Sequence, residues 1–279
     1  MTDAGWFAGL DPGDEAAAAT AIREGRADEP AAWPDLAIDA GFAPDRETYY
    51  ERLRAAAIEA TREAVADRER ADDQQLIHAV RAMDDLGETT NELAERAAEW
   101  AGSQFGETRE GLAYVREVAD READGPTEAA IVDLAGTVVD LETRRDGIRA
   151  FVERQAPAVA PNLSMLAGPV LAARLIALAG GLEPLAKKPS GTVQVLGAED
   201  ALFAHLQGHA PSPKHGVIYM HEYVRGTRPD QRGSAARALA GKLSIAARID
   251  HYSGDRRPEF QAELDDRIAR IRGSGGQTG

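Results

Sequence analysis

The sequence predicts a mainly α protein: a small N-terminal α/β unit, an antiparallel coiled-coil hairpin and an all-helical C-terminal domain. Three observations predict it. Between Thr48 and Phe105 there is no proline, and Leu76, Val80, Met83, Leu86, Thr90, Leu93, Ala97 and Trp100 recur at spacings of three and four, one apolar stripe on a long helix. Beyond Gly125–Pro126, the residues Ile131, Leu134, Val138, Leu141, Arg145, Ile148 and Val152 alternate steps of three and four, a heptad seam with one charged interruption. After Pro157, apolar segments are punctuated by Gly, Pro and Asn at helix-ending and helix-starting positions.

The elements follow in order. Residues 1–70 form an N-terminal domain whose first part is broken at "LDPGDE", "EPAAWPD" and "GFAPD"; short apolar pieces at Trp6–Phe7 and Leu36–Ile38 read as strands. Residues 71–156 form the hairpin, a rod suited to spacing or assembly rather than to a catalytic pocket. In residues 157–255, "PNLSMLAGPVLAARLIALAGG" reads as one buried helix capped by Asn162 and stopped by Gly180–Gly181. A short helix entered through Gly197–Ala198 follows, with the apolar "ALF" of residues 201–203 assigned to the core. "GVIYMHEYV" is extended or mixed, and a long helix runs from Pro229 to about Tyr252. Residues 256–279 are a tail, a helix and then a Gly/Ser-rich disordered end.

Composition narrows the function. No cysteine is present, which excludes a disulfide framework, a thiolate zinc site and a cysteine nucleophile. The start "MTDAGWFAGL" lacks a basic region before an apolar patch, and the longest apolar run carries Arg174 and Pro169, so a soluble, cytoplasmic protein with no membrane contact is expected. The net charge of −15 is uneven. Residues 1–156 hold 17 Lys and Arg against 36 Asp and Glu, a balance of −19, whereas residues 157–258 hold 12 against 7, a balance of +5. All four lysines, Lys187, Lys188, Lys214 and Lys242, lie in that basic segment. Such asymmetry predicts that one half meets a polyanion. An acidic, lysine-poor surface also fits a salt-rich cytoplasm; high-GC coding explains the scarcity of lysine equally well, but not its clustering.

Signs of catalysis are weak. "AGKLS" around Lys242 departs from a phosphate-binding loop at Ala236 and Leu243 and lies in a helical pattern. His205 and His209 are four apart, but no HExxH accompanies them. No nucleophile elbow or dinucleotide fingerprint occurs. No enzyme activity, cofactor or metal is expected. Polyanion binding fits better: Arg228, Arg232, Arg237, Lys242 and Arg248 punctuate the long helix, and Gly197–Ala198 before a helix start offers backbone N–H groups to a phosphate or base edge.

The stretches "APNLSMLAGPVLAARLIALAGGLEPLAKKPSGTVQVLGAEDALFAHL", "PSPKHGVIYMHEYV" and "RGSAARALAGKLSIAARID" resemble the Nop domain, and "DDQQLIHAVRAMDDLGETTNELAERAAEW" is similar to the coiled coil of the same proteins. The family includes the archaeal core protein of box C/D RNA-guided methylation particles, its nucleolar counterparts and a spliceosomal relative. The resemblance covers roughly residues 70–252. It implies a non-catalytic scaffold that binds a box C/D guide RNA at its kink-turn, together with a kink-turn-binding ribosomal-protein-like protein. It further implies recruitment of the fibrillarin methyltransferase through the N-terminal domain and a homodimer through the coiled coil. The alternative it leaves is a Nop-domain RNA-binding factor that works without fibrillarin. Carried over by position, Gly197, Ala198 and Glu199 of the "GAE" turn sit against RNA and partner, and Lys214 and His215 meet exposed nucleotides. Arg232 and Arg237 contact the phosphate backbone, with Lys188 and Gln194 beside the turn. Two positions depart from the pattern: Asp200 stands where lysine is expected and Ala204 where arginine is expected. Both remove a positive charge, which in molar salt, where counterion release contributes little, costs least.

Overall fold

The computed structural model describes residues 5–27, 29–207 and 211–273. It divides into two compact units, Met1–Ala71 and Asp72–Gly279. Among the described residues all regular structure is helical.

In the first unit, α1 (Glu15–Glu24) and α2 (Trp33–Asp39) pack against the long α3 (Arg46–Arg70). Asp14 and Asp45 cap α1 and α3 by accepting from the N–H groups of Ala17 and Thr48 at 2.9 and 2.7 Å. Trp6, Phe7, Phe42 and Tyr49 form an aromatic core with mostly edge-on contacts, and Arg23 ties α1 to α3 through Glu63 and Asp67. The strands expected at Trp6–Phe7 and Leu36–Ile38 are absent. Trp6–Phe7 lies in a turn and Leu36–Ile38 inside α2, because Pro34 sits in the first turn of that helix, where its missing N–H costs nothing.

The second unit begins with the rod. α4 (Asp72–Phe105) runs antiparallel to α6 (Pro126–Val159), with α5 (Leu112–Ala119) folded over the tip. Near the tip Ala94, Ala97, Ala98 and Ala101 face Ile131, Ala135 and Val138; near the base Leu76, Ile77 and Val80 share a core with Val152 and Ala156. The alanines let the helix backbones approach closely, and Tyr114, Val115 and Val118 of α5 fill the remaining volume. Trp100, expected in the stripe, is 42% exposed, its place taken by Ala98 and Ala101. The charged interruption is explained by its neighbour. The Arg145 stem lies against Gly87, 3.8 Å from where a Cβ would stand, while its guanidinium turns out to Glu142 and Asp146. Arg116 of α5 holds the same Glu142 at 3.0 and 2.6 Å and anchors the tip.

Beyond the rod, α7 (Pro161–Ala167) and α8 (Pro169–Ala179) replace the single helix expected. Gly168 at φ +77° and Pro169 break the run, and the two pieces are bent by 117°. No single helix among the described residues is long and apolar enough to cross a membrane. Short helices α9 (Leu182–Lys187), α10 (Ser190–Val195) and α12 (Glu222–Arg225) pack against α13 (Arg232–Tyr252), whose Ala235, Ala236, Leu239, Ala240, Leu243, Ala246 and Ala247 are the centre of the core, and α11 (Glu199–Leu206) follows α10. α14 (Glu259–Gly273) closes over α13 through Leu264 and Ile268. The expected Gly/Ser-rich end, 274–279, lies outside the described residues, as does His209.

Asn162 does not cap α7 as expected. It lies inside the helix, and the cap comes from Asp250 on α13, whose carboxylate accepts from the N–H groups of Asn162 (3.0 Å) and Leu163 (2.8 Å) and from the Asn162 side-chain amide (2.6 Å). Asn162 then accepts from the Arg257 N–H at 2.7 Å, which fixes the turn into α14. A similar role falls to His221. Its Nδ1 accepts from the Tyr223 N–H at 3.1 Å to cap α12, and burial pushes its imidazole below its ordinary value, so it is a neutral structural cap.

Candidate nucleic-acid interface

The segment from Gln194 to Gly197 leaves α10 and is stitched to residues 214–217 by three bonds. Gln194 Nε2 donates to the Lys214 carbonyl at 2.7 Å, Gly216 N–H to the Gln194 carbonyl at 2.8 Å, and Val217 N–H to the Leu196 carbonyl at 2.7 Å. The approach is so close that Gly216 is required: a Cβ there would overlap the Leu196 carbonyl. The ladder brings Gln194, Gly197, Lys214 and His215 to one surface.

The 3-10 turn Val217–Met220 places Tyr219 under His215, ring centroids 4.6 Å apart and planes 23° from parallel. Arg232, the first residue of α13, lies over the Tyr219 ring with its guanidinium carbon 5.5 Å from the centroid, and its Nε donates to the Thr227 carbonyl at 3.0 Å. The Lys214 stem approaches Gly233. Burial, then the charges of Arg232 and Lys214, push the His215 imidazole below its ordinary value, so it presents a neutral aromatic face between two cations. A half-buried stack flanked by an exposed lysine and an arginine suits the π-face of a splayed base and its phosphate.

The turn itself differs from expectation. The Gly197 N–H donates to Glu199 Oε1 at 2.8 Å and the Ala198 N–H to the Val195 carbonyl at 3.0 Å. Neither amide is open to a phosphate, because the Glu199 carboxylate folds back to hold the turn, which Gly197 enters at φ +79°. The "ALF" stretch is not core: α11 buries no residue, and Phe203 and Leu206 are 62% and 74% exposed on one side of it. Among the described residues, this eight-residue helix beginning with Glu199 and Asp200 finds no apolar surface to cover it.

Arg237 and Lys188 lie elsewhere. Of the basic residues along the last long helix and its approach, Arg228 pairs with Asp230, Lys242 with Glu263, and Arg248 caps the end of α9 by donating to the carbonyls of Ala186 and Lys188. Arg232 joins the Tyr219 stack, whereas Arg237, five residues on, faces α14 beside Arg267 and Arg270. Lys188 precedes α10 with its carbonyl held by Ser244 and Arg248. The residue that sequence reasoning missed is Tyr219; its signal is an aromatic four positions after His215.

The family profile described as "snoRNA binding domain, fibrillarin" matches residues 71–271. A NOP5 family protein of Methanocaldococcus jannaschii is 34% identical over 83% of this chain and 65% of its own length, and nucleolar protein 58 of Candida glabrata is 32% identical over 72% and 48%. The chain thus spans about two thirds or less of the length of these curated relatives. A chain of the crystal structure of a fibrillarin/Nop5p complex superposes with a TM-score of 0.54 at 25% identity, covering 96% of this chain and 99% of that one.

Proposed function

The chain belongs to the Nop family, and on that premise we propose that it is a non-catalytic scaffold of a box C/D RNA-guided 2′-O-methylation particle. The second unit takes the kink-turn of the guide RNA jointly with a ribosomal-protein-like partner, the first unit recruits fibrillarin, and the rod pairs two copies in the cytoplasm. The observation that supports this most is the His215–Tyr219 stack flanked by Lys214 and Arg232, set in the basic segment of an otherwise acidic chain. The uncovered Phe203 and Leu206 of α11, the helix that leaves the Gly197 turn, suit a protein partner that shares the RNA.

In the first unit, Tyr50, Ile58 and Val65 are exposed within one arc of α3, an apolar face suited to fibrillarin. Co-purification tests this. Wild-type chain should retain fibrillarin, and Ile58→Glu/Val65→Glu should lower that retention about 10-fold or more, the effect of desolvating a charge in an apolar contact, with RNA binding unchanged. Failure of the wild-type chain to retain fibrillarin would leave a Nop-domain RNA-binding factor that works without it.

A further inference from the structure

α13 and α14 enclose a cleft of about 470 Å³ into which Arg237, Arg267 and Arg270 open, with Ser234 at one side and Ala238 and Ile271 completing the lining. We propose that this cleft is a second RNA-contact surface, taking the sugar–phosphate backbone beyond the nucleotides met at His215; the inference rests on the function proposed above.

Three observations carry it. First, these guanidiniums are free to bind. None has a carboxylate within ion-pair distance among the described residues, whereas Arg23, Arg46, Arg109, Arg116, Arg121 and Arg174 all do. Arg270 donates only to the Asp266 carbonyl, at 3.2 Å. Second, two acids of α14 are engaged elsewhere: Glu263 holds Lys242, and Asp265 accepts from the hydroxyl of Tyr223, whose phenol is pushed up to about 12 by burial and that carboxylate; Asp266, next to Arg267, meets Arg270 only through its backbone carbonyl. Arg272, the remaining cation of α14, is also spent internally, on Thr227 Oγ1 and the Glu222 carbonyl, which pins the helix and so fixes where Arg267 and Arg270 stand.

Third, the cleft is reached from the site already described by passing around the same helix. Lys214 packs on Gly233, and the next residue, Ser234, lines the cleft. Arg232 and Arg237 are separated by about 7.5 Å along α13 and roughly 140° around it, at 1.5 Å and 100° per residue. A backbone leaving the Tyr219 stack therefore meets, around the same helix, guanidiniums that can each offer two N–H groups to one phosphate. A phosphodiester strand is the ligand that matches guanidiniums without a carboxylate partner in a chain of net charge −15, because it supplies anions in series.

The test is the salt dependence of kink-turn RNA binding by the full chain with its ribosomal-protein-like partner present, for wild type, Arg267→Gln/Arg270→Gln and Arg267→Lys/Arg270→Lys. Each lost phosphate contact should lower the slope of log K against log salt by about 0.7 to 0.9, so the glutamine pair should lose about 1.5 in slope and about 10-fold in affinity at low salt. The lysine pair should keep the slope, which separates charge from packing. Wild-type slope in the glutamine pair, with wild-type binding intact, overturns the cleft and leaves the proposed function standing. Absence of partner-dependent binding by the wild-type chain overturns both.

Discussion

Replacing Asp250 with alanine should lower the stability of the Asp72–Gly279 unit by about 3 kcal/mol, since buried donors left without an acceptor cost about 1–3 kcal/mol each. Three donors lose their acceptor together: the N–H groups of Asn162 and Leu163 in the first turn of α7 and the Asn162 side-chain amide. The last of these also donates to the Asp255 carbonyl at 2.8 Å, so the loss spreads into the turn before α14. The effect falls short of a simple sum because burying the carboxylate has its own cost. Burial pushes the Asp250 carboxyl above its ordinary 3.8 against the pull of its hydrogen bonds. A folded-state value raised in this way gives a contribution complete below 3.8 and lost as pH rises through the folded-state value. Asp250→Asn should fall between, as its amide N–H₂ turns one donor on another. Urea unfolding with an unchanged m-value measures the difference; a loss under about 1 kcal/mol would remove Asp250 from the cap.

Gly216→Ala should weaken RNA binding about 30-fold, or about 2 kcal/mol, while the helical core stays folded. The obstacle is space, because the residue is pressed against the backbone of residues 195 and 196. A methyl group meets the Leu196 carbonyl and, at 2.7 Å, the carbonyl carbon of Val195, both rigid backbone. Relief requires residues 214–217 to move off residues 194–197, which breaks the ladder and carries Lys214 and His215 away from the "GAE" turn. Circular dichroism should be unchanged because neither segment contributes a long helix. Wild-type affinity in this variant would mean that the ladder does not position the RNA-facing side chains.

Where the sequence was legible, the reason is repetition. The rod declares itself because the same step of three and four recurs over many turns, and even Arg145 fits once Gly87 opposite is seen to make room for it. Short elements carry no such averaging. Leu36–Ile38 looked like a strand until Pro34 is weighed as a helix-starting residue, and "ALF" looked like core although among the described residues α11 buries none of its side chains. The cap of α7 was illegible for another reason: donor and acceptor lie 88 residues apart, so Asn162 took the role that Asp250 performs. Resemblance grouped Lys214, His215 and Arg232, which the fold places together around Tyr219, but it gave no sign that Glu199 closes the Gly197 amide or that Arg237 opens onto α14.

The most direct test of the central claim is a gel-shift on a box C/D kink-turn RNA in molar potassium chloride, with and without the ribosomal-protein-like partner. A shift that requires the partner and vanishes when the kink-turn is mutated is expected, since with counterion release suppressed the contact rests on stacking, shape and shared protein surface. A chain that fails to shift the partner-bound RNA, or shifts mutated and intact kink-turns alike, would contradict it.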